Sequence, residues 1–557
     1  MSITGEKMKK LKKTISVDEK ELFKSGKLKT IDAHYVNENG IVYLIKENGT
    51  KERIGSIEWW ERVENFKAEQ EKHPNKPQKE FKNHLLSCGL CNEHKNSTAL
   101  LNLVATNRCN LRCWYCFFYA EKSGFVYEPS LEEIKKMFEI AKEINGYMPP
   151  LQITGGEPTL RNDLEEIIRV AKKLGSPHIQ LNTNSVKIAI DYYNNPEETI
   201  EELRKLRSAG LNTIYTSFDG IDEKTNFKNH FELPLALKAY SEAGIKSIVL
   251  VPTVYRSEMN GIPDNLSQVN GIVKFAIKHR SFGIKGVNFQ PISMVGSTPK
   301  NQRDKLRVTQ SDIIEELKGV GLDNYEYWYP VSSVQYLADL IAKDENHVRF
   351  YNNELCGVAT YVFLDENDRV YPITNFIDAD EFLKDLEKLN KSLYNKLIFG
   401  IELASEALRS MSVKKALARR LKRYIIKDEL PDGTKISEIL NDVIETGTYS
   451  SLGMFHEKAM FIGMMHFMDP YNYDVNRVKR CSIHYATPIG VIPFCTYNVF
   501  PHIYRDNIMK FFRVKDVNTF EQLLEDEKKE AIKVLGFRKV IKNDSEYQRF
   551  LKDIYDV

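Results

Sequence analysis

Six times between residues 98 and about 320, a short apolar run gives way to a longer amphipathic one. The apolar runs are "TALLNLVAT", "LQITG", "HIQLNT", "NTIYTS", "KSIVLVPTVY" and "IKGVNFQPIS". They have the length and β-branched content of buried strands. After them come "SLEEIKKMFEIAKEI", "DLEEIIRVAKKL", "PEETIEELRKLRSAG", "ELPLALKAYSEAG", "GIVKFAIKH" and "TQSDIIEELKGV", all with helical spacing. Ser130 followed by Glu133 reads as a capping box, and Pro196 with Gly210 brackets the third helix. Such alternation restricts the chain to a parallel sheet with crossover helices. Six units predict an α/β fold, a partial (β/α)6 barrel, with its chemistry on the loops that leave the strands' C-terminal ends.

The first of those loops is "TNRCNLRCWYCFF". It holds Cys109, Cys113 and Cys116, three of the eight cysteines in 557 residues. Half of a zinc site is one reading, although zinc ribbons favour C-x2-C pairs and a fourth ligand. The other is a C-x3-C-x2-C loop that caps three corners of a cubane iron–sulfur cluster and leaves the fourth iron open to a ligand. One strand later "LQITGGEPTL" ends in Gly155, Gly156 and Glu157. The glycines allow close backbone approach and Glu157 offers a carboxylate to an ammonium.

Eight unevenly spaced cysteines in a long chain argue for metal or catalysis rather than a disulfide framework. A net charge of +2 argues against a nucleic-acid partner held by bulk electrostatics. No apolar run reaches spanning length and no secretory signal is legible, so the expected location is cytoplasmic. The lysine-dense start, "EKMKKLKKTISVDEKELFKSGKLK", reads as a solvated tail.

The cysteine loop and the "GGEP" strand end together resemble the radical S-adenosylmethionine superfamily. The resemblance implies a [4Fe-4S] cluster on Cys109, Cys113 and Cys116, with the amino and carboxylate groups of S-adenosylmethionine on the fourth iron. It implies that Gly155, Gly156 and Glu157 contact the amino group and that Tyr115 approaches the adenine. Asn182, Asn184, Ser217, Thr253 and Gln290, polar residues at later strand ends, are the expected contacts for ribose and adenine, about half of them in fact. A small electron donor such as ferredoxin or flavodoxin is the implied redox partner.

The remaining cysteines are Cys88 and Cys91 in "HLLSCGLCNEHK", Cys356, and Cys481 and Cys495 in "RCSIHYATPIGVIPFCTYN". The last stretch reads as a β-hairpin turning at "TPIG" with a cysteine near each base. Across most of residues 84–500 the chain is similar to the archaeal tetraether lipid synthase group, formerly described as dihydropterin methylases. That similarity implies an auxiliary [4Fe-4S] cluster on Cys88, Cys91, Cys481 and Cys495, with His84 and Cys356 as further candidate ligands. Two departures stand out. His84 occupies the first position of an upstream loop that is commonly C-x3-C-x2-C, and the N-terminal segment lacks the group's rubredoxin-like cysteine pairs. The expected segments are a β-hairpin module over 1–80, an auxiliary-cluster loop over 81–97, the core barrel over 98–325, and an α+β extension over 326–557.

The similarity implies radical C–C coupling of isoprenoid lipid chains, with contact at the inner face of a membrane. "SVKKALARRLKRYIIKDEL" reads either as a basic interfacial helix with Val413, Leu417, Leu421 and Tyr424 in one stripe, or as a core-packed helix. "MFHEKAMFIGMMHFMD" could line an apolar tunnel or fill a core. Two alternatives to lipid coupling are a radical methylase of a small molecule such as a dihydropterin, and a non-catalytic metal-binding homologue. A long apolar tunnel near the cluster would favour the lipid reading. A small polar pocket would favour the small-molecule one.

Overall fold

The structure, a computed structural model, describes residues 8–67, 94–117, 120–259, 261–341, 348–398, 417–446 and 455–557. His84, Cys88 and Cys91 lie outside the described residues.

The six expected strands form, as β5 (Leu100–Thr106), β6 (Leu151–Gly155), β7 (Ile179–Thr183), β8 (Thr213–Ser217), β9 (Ile248–Val251) and β11 (Ile284–Pro291). A two-residue strand, β10 (Thr253–Val254), sits between the last two. Adjacent members pair in parallel from β5 through β11. Their apolar runs are buried on both faces, as a sheet covered by helices requires.

The crossover helices follow their sequence signals. Leu131–Asn145 starts at the Ser130–Glu133 capping box and stops at Gly146, whose φ of 77° suits a residue without Cβ. Its inner stripe, Ile134, Met137, Phe138, Ala141 and Ile144, is at most 2% exposed. Burying each of the larger members contributes about 1.5–3 kcal/mol. Pro196–Ala209 begins on its proline and ends before Gly210.

The sheet does not end with these six strands. From the C-terminal segment, β15 (Met460–Met465) adds in parallel beyond β11, and β16 (Ile483–Thr487) adds in parallel beyond β5. The described residues therefore contain eight consecutive parallel strands, in the order β15-β11-β9-β8-β7-β6-β5-β16. Antiparallel strands finish each end. They are β13 (Gly357–Leu364) on β15 and β17 (Gly490–Pro493) on β16, so the barrel stays open. The β16–β17 hairpin turns at Thr487–Gly490, as its sequence suggests.

Residues 9–17 are not a solvated tail. They form β1 (Lys9–Val17), which pairs with β2 (Thr30–Glu38), β3 (Ile41–Lys46) and β4 (Lys51–Ser56) in a four-stranded antiparallel sheet. Alternation explains it, because Thr14 and Ser16 point inward and donate to Asp474 Oδ1 and the Tyr473 carbonyl while the intervening positions meet solvent. The turn from β2 to β3 has positive φ at both Asn39 and Gly40, a pattern that suits a tight hairpin. Arg307, buried under this module, joins Glu52 of β4 at 2.5 Å to Asp469 of the C-terminal segment at 2.6 Å.

The described part of the basic stretch, from Leu417 on, turns its apolar residues into a core. Leu417 and Leu421 are buried against Phe382 and Leu386, and Arg420 pairs with Asp385 at 2.7 Å. The helix gives way to a single tighter turn at Lys422–Tyr424. Val413 lies outside the described residues. The methionine-rich stretch becomes β15, with Met460, Ile462 and Met464 in the core. No described helix is long and apolar enough to cross a membrane.

Candidate functional site

The cysteine loop leaves β5 and is held by main-chain contacts from several elements. Gly156 N–H donates to Thr106 O and Glu157 N–H to Arg108 O, both at 2.8 Å. A Cβ on Gly155 would lie 2.1 Å from Thr106 O, and one on Gly156 would lie 2.1 Å from Arg108 O. The paired glycines therefore serve the approach of two strand ends. Asn184 Nδ2 donates to Asn110 Oδ1 at 2.8 Å, Ser297 N–H to Cys116 O at 2.8 Å, and Cys109 N–H to Glu527 Oε1 at 3.1 Å. Glu527 comes from the long helix Val517–Asn543, which returns along the barrel and is anchored by Arg538 to Glu232 at 2.6 Å.

Burial is the largest influence on the Cys109 and Cys113 thiols and pushes both up, Cys113 to about 12. The neighbouring thiols raise them further, and Lys228 partly offsets the effect at Cys113. Three crowded thiols of this kind deprotonate when metal supplies the opposing charge. Several buried polar atoms around them lack a partner, namely Asn110 Nδ2, Trp114 Nε1, Tyr255 OH and Asn182 Oδ1. Buried polar atoms are rarely left so. The donor set and these atoms fit a three-thiolate cluster with a polar, organic ligand beside it. Among the described residues no three His, Cys, Asp or Glu side chains converge as a ligand set for a single ion.

Beside the loop, at the strands' C-terminal ends, lies a cavity of about 260 Å3. Tyr115, Gly155, Asn182, Thr253 and Gln290 line it, as does Cys116. Gly156, Glu157, Asn184 and Ser217 are not among its lining residues. Glu157 is fully buried and faces protein. Its Oε1 accepts from Thr159 N–H and from the hydroxyls of Thr159 and Thr183, and its Oε2 accepts from Asn184 N–H at 2.8 Å. In this arrangement it ties β6 to β7 rather than facing an ammonium. Burial raises its carboxyl above the usual range, against the pull of those hydrogen bonds.

Sequence reasoning missed Asp219 and Lys228. Asp219, fully buried, accepts a hydrogen bond from the Tyr115 hydroxyl and one from Thr253 N–H at 2.9 Å. Lys228 lines the cavity, lies 3.4 Å from Asp219 Oδ2 and stands 4.9 Å from the centre of the Tyr115 ring. Asp219 was legible as a polar residue past a strand end, but nothing local marks Lys228. The other wall was half legible: Phe467 belongs to the "MFHEKAMFIGMMHFMD" stretch expected to line an apolar tunnel or fill a core, whereas nothing singled out Tyr485 and Phe494. Phe467 and Phe494 stack at 4.2 Å and Tyr485 continues the stack at 5.2 Å. These three rings line the cavity.

Cys495 follows that aromatic wall directly. Cys481 and Cys495, at the two ends of the hairpin, and Cys356, from a separate segment, lie close enough that Cys495 and Cys356 each raise the Cys481 thiol, after burial as the main cause. Burial first, then Cys356, pushes Cys495 to about 12. Met468 N–H points at Cys495 Sγ at 3.4 Å. Three thiols with an N–H···S contact fit a second thiolate-ligated group, and Cys356 joins the pair that the hairpin brings together.

The Radical SAM superfamily model matches residues 103–266. The chain is 38% identical over 440 residues to the 7,8-dihydro-6-hydroxymethylpterin dimethyltransferase of Methanocaldococcus jannaschii, covering 77% of this chain and 81% of that protein. It is 26% identical over 320 residues to the GTP 3',8-cyclase of Aquifex aeolicus, covering 54% and 91%. Among solved structures, methylornithine synthase matches at 16% identity with a TM-score of 0.28, over 40% of this chain and 63% of that one.

The expectation of lipid C–C coupling is thereby overturned. The long relative at 38% identity is a pterin dimethyltransferase. The cofactors of the superfamily are a [4Fe-4S] cluster and S-adenosylmethionine. With the relative covering four-fifths of its own length, this chain belongs to the radical S-adenosylmethionine superfamily and is one of its enzymes.

Proposed function

We propose that the protein methylates a dihydropterin, or a closely similar flat, polar heterocycle, at a carbon that no side-chain acid or base can activate. The observation that carries this reading is the cavity itself. It pairs an aromatic wall with a polar one beside the residues expected to meet the cofactor, an arrangement that suits a flat, polar ring. The name of the Methanocaldococcus jannaschii relative points to the same substrate class.

When bound, the cluster and S-adenosylmethionine supply a radical able to take hydrogen from an unactivated C–H. Cys109, Cys113 and Cys116 would hold the cluster. The chain's own contribution is binding and orientation. Phe467, the outer ring of the stack backed by Phe494, offers a flat apolar face on which a planar ring can stack. Asn182 Oδ1, buried without a partner, offers an acceptor for a ring N–H or amino group. Gln152 is already engaged with Asn102 and Gln180, so it braces the cavity floor. Tyr115, fixed by Asp219, closes the side next to the thiols. Holding the reacting carbon beside the cofactor and excluding water are what these walls accomplish.

The test is anaerobic turnover with 7,8-dihydro-6-hydroxymethylpterin, S-adenosylmethionine and a strong reductant, followed by mass analysis of the pterin. The expected product gains one or two methyl groups, each taken from a second S-adenosylmethionine that leaves as S-adenosylhomocysteine, while the reductant supplies two electrons per methyl group and 5'-deoxyadenosine and methionine form alongside. Reduction of S-adenosylmethionine at the same rate with and without pterin, and no change in pterin mass, would exclude this substrate.

A further inference from the structure

We propose that Arg477 is the built-in counter-ion of the thiolate site formed by Cys356, Cys481 and Cys495, and that it sets the reduction potential of the auxiliary cluster held there. The inference rests on reading those thiols as cluster ligands.

Arg477 is 2% exposed. Its Nη2 donates to Leu355 O at 3.3 Å and to His466 O at 3.0 Å, and lies 3.6 Å from Cys356 Sγ. Its Nε is buried with no partner. Among the described residues no carboxylate forms an ion pair with it. Asp474, three residues back, is occupied by Thr14, Tyr35 and the main-chain N–H groups of Asn476 and Arg477. Two neighbouring arginines show what the fold does otherwise. Arg307, equally buried, is paired with Glu52 and Asp469, and Arg480 with Glu354.

A buried guanidinium whose contacts are two carbonyls and one cysteine sulfur, with no carboxylate, is electrostatically unbalanced. A thiolate that ligates a cluster carries the missing negative charge, and Cys356 Sγ sits where Arg477 reaches. A cation held against a cluster's sulfur favours the more negative, reduced state, so Arg477 raises the potential.

The test uses the full chain with Cys109→Ala, Cys113→Ala and Cys116→Ala combined, so that any remaining cluster is the auxiliary one. Arg477→Gln and Arg477→Lys are then compared by potentiometric titration followed by electron paramagnetic resonance, with iron counted per chain. Arg477→Gln is expected to move the midpoint to a more negative value at equal iron content, and Arg477→Lys to leave it near the parent's. An unmoved midpoint in Arg477→Gln, or an equal shift in both variants, overturns the proposal. Should Arg477→Gln fail to load, Arg477→Lys decides, because a loaded Lys variant supports a charge requirement and an unloaded one contradicts it. A triple-alanine background without iron removes the proposal together with the auxiliary-site reading, and leaves the Cys109, Cys113 and Cys116 site standing.

Discussion

The main-chain N–H of Cys109 donates to Glu527 Oε1 at 3.1 Å, across 418 positions of sequence. Glu527 is 1% exposed and also meets Arg112 at 3.4 Å. The last long helix is thus part of the cysteine loop's support. Glu527→Ala leaves a buried N–H unpaired, at a cost of about 1–3 kcal/mol concentrated on that loop. Chelator-driven loss of iron is expected to accelerate about tenfold or more relative to the parent. Equal rates would show that the helix contact is incidental.

The glycines that end β6 make a sharper prediction. Gly156→Ala would place a methyl group against Arg108 O, and the flanking strand ends have no room to part without moving Cys109. The expected loss is about 3 kcal/mol of stability, with reduced iron loading. Thermal melting of the reconstituted protein measures it. A melting temperature within a degree or two of the parent's would mean that the approach relaxes freely.

Lys228 and Asp219 test the cavity's polar wall. Lys228→Met removes the cation beside Tyr115 and Asp219 without touching a thiolate. Turnover is expected to fall about 10- to 100-fold while iron content stays constant. Asp219→Asn keeps the Tyr115 contact and is expected to be milder. Uncoupled 5'-deoxyadenosine release should rise relative to product in the Lys228 variant, because a loosely held ring misses the reacting position.

The aromatic wall separates a flat substrate from a flexible one. Phe467→Leu keeps apolar area and loses the outer stacking face. Its expected signature is a KM raised about 5- to 20-fold for the pterin, in line with about 1–2 kcal/mol for ring stacking, with cluster spectra unchanged. An unaltered KM would place the ring elsewhere.

Glu354 gives the acid limit of the fold. Burial alone would raise its carboxyl, but Arg480 and Lys12 outweigh that and hold it at about 2. A carboxyl depressed on folding contributes stability above its unfolded pKa, near 4.5, and loses that contribution as pH falls toward 2. Glu354→Gln is therefore expected to destabilise the protein by up to about 3 kcal/mol at pH 7. The difference from the parent should shrink between pH 4.5 and 2, as followed by chemical denaturation.

Much of the barrel was readable because its rules are local. Ser130 and Glu133 cap their helix as their spacing says, and β5 through β11 declare themselves by apolar runs. The C-terminal strands β15 and β16 were not readable as barrel members. Their places beyond β11 and β5 are fixed by parallel pairings over long sequence distances, which leave no local mark. The site divides in the same way. Cys109, Cys113 and Cys116 are announced by spacing. Glu157 and Asn184 are polar residues at strand ends like those that line the cavity, yet they turn inward to tie loops together. Lys228, Phe467 and Glu527 reach the site only through tertiary packing. The basic stretch around Leu417 had two readings of equal periodicity, and only its contacts with Phe382 and Leu386 separate them.

The most direct measurement is electron paramagnetic resonance of the reduced, anaerobically reconstituted protein with S-adenosylmethionine and then with dihydropterin added. A three-thiolate cluster opening on a small polar cavity should change its spectrum on adding S-adenosylmethionine, lose that change in Cys113→Ala, and release 5'-deoxyadenosine faster once the pterin is present. A spectrum indifferent to S-adenosylmethionine, with no 5'-deoxyadenosine under any condition, would contradict it.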